Sequence, residues 1–541
     1  MPSKRAEAGS RAACSEAARR ARPGATGWYI SRPSGYNPRF VSQDIATDEN
    51  DPPLLLLPPQ AAATANHERE SPMRGWLFTA IVVLSAIRAG EAPAQIDAAK
   101  LAEAYKAYDL TRNEGKGFTD SADSGTLGWG EGAVIESYAQ MWEATGDPYW
   151  LAKIGEHFQR IMAAASDPDG DGFLSWNTKT YSCAVANAER LHNVSEADIE
   201  PAYQKNMNGE AAARCTGHTY VLEFHAGPER FRILDWTTRQ VLAAEIAYED
   251  GAAIAQIPPF RFKIKGRPRQ GDRFMVRTAA PEPIEYAVHQ GMFVYPAAVF
   301  IEAVKTRTEL RERFGADADK FLAFINKHVF EKNEQDWLEM GEAGGGYRFA
   351  PTLTDRYPNR IMPHNQFAAL ARAWLVLKDL EGAHPLMARR AEQMVRYFRS
   401  HLELDETNNA YRWHYWDWTE YGRPGSSGYE DTSHASLSMS LAVAAARRGV
   451  VFTEEDMVRI ANTWLKLMWN RDEEKPAMAA SVDGKGPHTF SPLMARWSEL
   501  SQWDRKVHDL ALKTFLSKGP DQQARSAPEM LLCAKRAGIA P

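Results

Sequence analysis

The chain has 541 residues, 44% hydrophobic and 25% charged, the composition of a globular protein with room for more than one domain. Sixty-four Lys and Arg against 70 Asp and Glu leave a net charge of −6, without the basic excess expected of a nucleic-acid binder. Four Cys exclude a disulfide scaffold, and no apolar run reaches the roughly 20 residues of a membrane span.

Residues 1–72 are rich in Ala, Arg, Pro and Ser, with no sustained apolar period, and read as a disordered or spurious N-terminal extension. Residues 73–94 read as a signal peptide. Met73-Arg74-Gly75-Trp76 is a short basic start, an apolar stretch follows to Ile87, and Ala92-Pro93-Ala94 has the small-residue form of a cleavage site. The expected mature chain starts at Gln95, is periplasmic or secreted, and keeps no stable membrane span after cleavage. An oxidising compartment would let Cys183 and Cys215 pair.

From Trp129 onward helix pairs recur. Gly130-Glu131 opens an apolar-periodic helix to about Ala144, Thr145-Gly146-Asp147-Pro148 breaks it, and a second helix follows from Tyr149. The pattern returns at His289-Gln290-Gly291, with a partner helix near 317–330. It returns at His364-Asn365, with a partner over 385–402, and at Glu430-Asp431-Thr432-Ser433-His434. There the partner begins at Thr453, whose spacing to Asp456 is that of a capping box. A weaker copy covers 492–518. Several inner helices, such as 368–377 and 437–446, are small and apolar nearly all round, which implies burial on more than one side. The predicted fold class is therefore mainly α, an (α/α) toroid of helical hairpins over 95–183 and 284–541, with an ordinary bundle as the plainer alternative.

The stretch 184–283 breaks the helical period. Tyr220–Phe224 and Phe231–Leu234 have strand character, and Phe260-Arg261-Phe262-Lys263-Ile264-Lys265 alternates with period two. It reads as a small β-rich insertion.

The inner helices each start with ionisable or amide residues: Glu131, His289 with Gln290, His364 with Asn365, and Glu430 with Asp431 and His434. In such an array these ends converge on one cleft, with free backbone N–H groups around it. Aromatic density marks the same places. Tyr411-Arg412-Trp413-His414-Tyr415-Trp416-Asp417-Trp418 holds five aromatics in eight residues, Trp129 and Trp176 flank the first pair, and Tyr357 and Arg360 precede His364. Flat rings at a cleft mouth suit the apolar faces of sugars. Asp167-Pro168-Asp169-Gly170-Asp171-Gly172 matches the first half of a calcium loop but has Thr178 at its twelfth position, so Asp167, Asp169 and Asp171 make calcium an open option and a solvated turn the better reading. No other metal or cofactor is expected.

The Trp129-Gly130-Glu131-Gly132, Pro363-His364-Asn365 and Glu430-Asp431-Thr432-Ser433-His434-Ala435 starts resemble those of the six-hairpin, (α/α)-toroid carbohydrate enzymes. These include glycoside hydrolases, polysaccharide lyases and the C-terminal domain of glucuronyl C5-epimerases. The resemblance is architectural. It implies an exported enzyme with a glycan substrate. Toroidal lyases use an Asn–His–Tyr grouping, which points to β-elimination at a uronate. Asn365 with His364 would neutralise the carboxylate, and Tyr415 or His414 would move the proton. The alternative is hydrolysis by paired carboxylates, with Glu131 and Glu430 in the catalytic roles. A non-catalytic glycan-binding protein is the third reading. Trp129, Trp176, His289, Tyr357, Arg360, Trp413, Trp416, Trp418, Asp431 and His434 are the expected substrate-binding residues.

Overall fold

The computed structural model describes residues 97–201, 206–207, 209–349, 357, 359–420 and 423–539. All lie in one compact unit, Arg88–Pro541. The extension and signal peptide expected at 1–72 and 73–94 fall outside the described residues.

Most helices come in sequential pairs. After α1 (Ala98–Leu110) come α2 (Gly132–Thr145) with α3 (Pro148–Ala163), and α4 (Ala287–Thr306) with α5 (Thr308–Phe324). Then come α6 (His364–Leu377) with α7 (Met387–Ser400), and α8 (Thr432–Ala446) with α9 (Glu454–Asn462). α10 (Arg505–Leu516) and α11 (Ala527–Arg536) follow. Local chemistry sets the boundaries. Gly146 takes a φ of +71° to end α2, and Asp147 caps α3, whose first residue is Pro148. The Thr453–Asp456 capping box forms at α9. α5 begins nine residues before the helix expected at 317–330, because its first turns are charged and bury only Leu310 and Phe314, which hides the apolar period.

The first helices of the pairs pack on one another: α2 on α4, α4 on α6, and α6 on α8. α8 packs on a 3₁₀ segment, Ala495–Gln502, and α11 packs on both that segment and α2. Every residue of α6 is buried, whereas α7 buries one face, through Met387, Ala391, Met394, Val395 and Phe398. α4, with 20 residues, is long and apolar enough to cross a bilayer, but it is buried inside the protein. Its Gly291 permits the α4–α6 crossing, since a Cβ there would lie 2.5 Å from the carbonyl carbon of Ala369. A buried ion cluster ties four of these elements together. Glu136 of α2 meets Arg372 of α6 and Arg496 of the 3₁₀ segment, and the Arg372 guanidinium lies 3.7 Å from the ring centroid of Tyr295 of α4. Burial alone would raise the Glu136 pKa, but the two guanidiniums outweigh it and hold the carboxyl down at about 2.

The expected mainly α toroid needs correction. The protein is mixed, 48% helix and 18% strand, and its strands form six sheets among the described residues. They also lie outside the insertion. Hairpins join Trp337–Glu339 to Gly345–Tyr347, Glu403–Asp405 to Ala410–Arg412, and Asp417–Glu420 to Arg423–Ser426. The last two occupy the aromatic loop region, where short strands between tight turns leave too little alternation to be read from sequence.

The described residues of 184–283 hold nine strands: β1 (Ala184–Leu191), β2 (Asp198–Pro201), β3 (Asn206–Met207), β4 (Thr219–Glu223), β5 (Arg230–Asp235), β6 (Gln240–Ala247), β7 (Ala253–Ile254), β8 (Phe262–Lys265) and β9 (Arg273–Ala279). They form a six-stranded antiparallel sheet in the order β3-β1-β9-β4-β5-β6 and a three-stranded one in the order β2-β8-β7. Alternate side chains such as Leu222, Phe231, Ile233, Phe262, Ile264, Phe274 and Val276 make a core separate from that of the helices. Asn177–Thr178 pairs with Ile284–Glu285 where the chain leaves and re-enters the helical part. Cys215 is not joined to Cys183; its thiol donates to the Ala279 carbonyl at 3.3 Å.

Candidate functional site

Three inner helices present their third residues at equivalent places: His289 on α4, Gln366 on α6 and His434 on α8. Three residues further along, Met292, Ala369 and Leu437 pack together with Val288. Residues three apart lie on one helical face. The apolar cluster is therefore a floor, and Gln366 and His434 stand one turn above it. Contacts connect the layer. The Gln366 amide donates to the hydroxyls of Tyr286 and Tyr415, at 3.3 and 3.4 Å. The Tyr415 ring lies 5.2 Å from that of His434, and the Tyr286 ring 5.1 Å from that of His289.

On the α8 side, Asp431 is the N-cap. Its carboxylate accepts from the backbone N–H groups of Ser433 and His434, at 3.1 and 3.2 Å, and from the Nδ1 of His434. Burial opposes its charge, but the His434 contacts outweigh that and hold the carboxyl at about 2. An ionised carboxylate only accepts, so Nδ1 of His434 carries a proton. About a third of each side chain is open to solvent.

On the α4 side, His289 is wholly buried. Its Nδ1 lies 3.0 Å from Ser124 Oγ, and its Nε2 has no partner. Burial pushes its pKa down to about 3, so the ring is neutral at ordinary pH. Trp129 and Tyr181 pack on it, joined to each other by the indole N–H donating to the phenol at 2.9 Å. Gly128 allows this approach, since a Cβ there would come within 2.7 Å of the His289 Cα. Tyr181 and Tyr286, in the two segments that bracket the insertion, stack at 4.8 Å.

On the third side, Phe349, Tyr357, Trp416 and Trp418 form a chain of ring contacts between 4.8 and 6.0 Å. The guanidinium of Arg360 lies 5.8 and 5.6 Å from the two indoles. The Phe349 ring lies 5.9 Å from that of Tyr286, so Trp129, His289, Tyr357, Arg360, Tyr415, Trp416, Trp418, Asp431 and His434 belong to one connected cluster at the inner-helix starts, the candidate cleft.

The other expected site residues lie elsewhere. Glu131 is fully buried, accepting from the Phe118 N–H at 2.6 Å and paired with His157 Nδ1 at 2.5 Å, and it anchors the 113–118 loop. Glu430 is also fully buried, with the Trp413 indole donating to it at 2.5 Å; burial raises its pKa well above the carboxylate range. Trp413 and Trp176 are core residues, the latter donating to the Ile161 carbonyl. His364 turns outward toward α7, against Tyr397, Phe398 and His401, and bonds Asp417 Oδ2 at 2.7 Å. His414 stacks on Tyr429, 3.6 Å from the same carboxylate. Asn365 is buried beside His364, and its Oδ1 has no hydrogen-bond partner. At the start of α6 the cleft residue is thus Gln366, which the sequence reading missed. The signal was present: Gln366 holds the same helical position as His289 and His434.

In the acidic loop, Asp167, Asp169 and Asp171 lie close enough to share a cation. Lys332 enters this cluster, its ammonium paired with Asp171, Asp169 and Glu285. That lysine places one positive charge beside the three aspartates.

No protein-family model matches the chain, and no curated protein matches it in sequence. Among solved structures, a crystal structure of Xanthomonas campestris FlgL aligns at 13% identity over 44% of this chain and 95% of that one, with a TM-score of 0.14. The flagellar hook-associated protein-3 of Legionella pneumophila aligns at 12% identity over 42% and 83%, also at 0.14. Scores this low carry no argument about fold or function.

Proposed function

We propose that this protein cleaves a uronate-containing glycan by β-elimination. The carrying observation is the Asp431–His434 pair against the Tyr415 ring, in the layer that Gln366 joins to Tyr286. With Nδ1 protonated toward Asp431, Nε2 of His434 is the acceptor nitrogen and takes the C5 proton. The C5–H electrons form the C4–C5 double bond, and the C4–O bond breaks. Burial raises the Tyr415 pKa, which keeps its proton in place for donation to the departing oxygen. Arg360, beside Trp416 and Trp418, supplies positive charge for the uronate carboxylate.

Hydrolysis finds less support. It needs two opposed carboxyl groups, one held protonated. Glu131 is buried and held by His157 and the Phe118 N–H; Glu430 is a buried, raised acid beside Asp431, but among the described residues no second carboxyl is shown opposed to it. Asp431 and Asp123 at the cleft are both held below their usual pKa, Asp123 by the Thr126 N–H and nearby hydroxyls against the effect of burial.

The test is absorbance near 232 nm, where unsaturated uronates absorb, over a panel of uronate polysaccharides. A rise that His434→Gln and Tyr415→Phe abolish is the expected result. New reducing ends without absorbance would replace elimination with hydrolysis. Glycan binding without either product would reduce the cleft to a binding site.

A further inference from the structure

Ser124 and His289 are both fully buried, and the 3.0 Å contact between Oγ and Nδ1 leaves two ways to place the protons. If Nδ1–H donates to Ser124, the hydroxyl proton has no acceptor and the Nε2 lone pair has no donor. If the hydroxyl donates to Nδ1, Nε2–H is the one unmatched donor and the hydroxyl oxygen goes without a donor. The second arrangement is favoured because an imidazole nitrogen is a stronger acceptor than a hydroxyl oxygen, so the one contact is used best that way. Nearby, Asp123 is held below its usual pKa, and a Cβ at Gly125 or Gly128 would lie 3.6 Å from Cε1 or 3.0 Å from Cδ2 of the ring, where the glycines leave room.

We infer that Ser124 is a positioning residue which holds His289 as the Nε2–H tautomer, a neutral hydrogen-bond donor kept for a neutral oxygen of the sugar. This rests on the cleft being the glycan site. Trp129 and Tyr181 pack on the ring, and Trp129, 40% exposed and held to Tyr181 by one hydrogen bond, is the group that a ligand at Nε2 would have to displace. A neutral ring beside the Asp123 carboxylate suits a hydroxyl or acetamido carbonyl, and disfavours a second anionic group. The carboxylate is left to the Arg360 side.

The test uses the full chain labelled with ¹⁵N-histidine, with the His289 signals assigned by their loss in His289→Gln. The expected result is an Nδ1 signal of the unprotonated, acceptor type and a protonated Nε2, unchanged from pH 5 to pH 8. Ser124→Ala gives a mixture of tautomers, and Ser124→Thr, which keeps the hydroxyl, restores the single form. A protonated Nδ1 in the wild type overturns the inference, as does an unchanged spectrum in Ser124→Ala. Thermal melting of each variant separates tautomer loss from misfolding. These signals are read without turnover, so they stand even if no uronate is cleaved. On a cleaved glycan, Ser124→Ala raises KM roughly tenfold with kcat little changed, as expected for lost ground-state binding.

Discussion

Replacing Glu499 with Gln tests whether the helical core holds a protonated acid at neutral pH. Glu499 lies on the 3₁₀ segment Ala495–Gln502 and shares a cavity of about 20 Å³ with Glu136, Glu143 and Tyr295. Burial and the neighbouring Glu143 push its pKa from 4.5 up to about 7; Arg372 and Arg447 pull the other way, and the Arg536 guanidinium is 3.8 Å distant. A raised acid binds its proton more tightly when folded. Its contribution is therefore complete below pH 4.5 and is lost as pH rises toward 7. At about 1.36 kcal/mol per pKa unit, the 2.5-unit difference between those values amounts to roughly 3 kcal/mol. The side chain retains 13% exposure, so solvent reduces this and the figure is an upper bound. Urea unfolding at pH 5, 6.5 and 8 reads it directly. Glu499→Gln lies within about 1 kcal/mol of the wild type at pH 5 and exceeds it by about 2–3 kcal/mol at pH 8. Glu529, also raised to about 7 by burial, leaves a parallel pH slope in both proteins. Equal stability of mutant and wild type at all three pH values would refute the reasoning.

Three other outcomes are expected. Asp431→Asn keeps an N-cap but loses the charge held by His434, so stability at pH 7 falls by about 1–2 kcal/mol after allowing for partial exposure, while elimination measured at 232 nm falls at least about a hundredfold through loss of the carboxylate that orients His434. Gly291→Ala forces α4 away from the Ala369 backbone and lowers stability by about 3 kcal/mol or more; an unchanged melting temperature would contradict the crossing described here. Glu136→Gln leaves Arg372 and Arg496 buried without their counter-charge, costing about 3–5 kcal/mol at pH 7 by denaturant titration. In the wild type the same contribution is present above pH 4.5 and disappears as pH falls toward 2.

Site residues were legible only in part, and the reason lies in helix rotation. His289, His364 and His434 look equivalent along the chain because each follows a break before an apolar helix. His289 and His434 are third residues, whereas His364 is a first residue and turns toward α7. About 200° of helical rotation separates the two positions at 3.6 residues per turn. The carboxylates are placed by a different effect. Glu131 and Glu430 precede inner helices as expected, but a buried His157 and a buried Trp413 claim them.

By itself the sequence determined what is local. Periodicity marked the helices, Thr453 with Asp456 marked a cap, and alternation around Phe262 and Ile264 marked a strand with its own core. These are short-range effects of backbone geometry and apolar spacing. Tertiary structure decided which polar groups stay available for chemistry. Whether a histidine is paired with a carboxylate, as His434 is, or buried against a serine, as His289 is, depends on partners brought from 3 residues away in one case and 165 in the other. Lys332 filling an acidic loop 161 residues earlier in the chain is the same lesson. Desolvation and pairing act through space, so they appear only once the chain has folded.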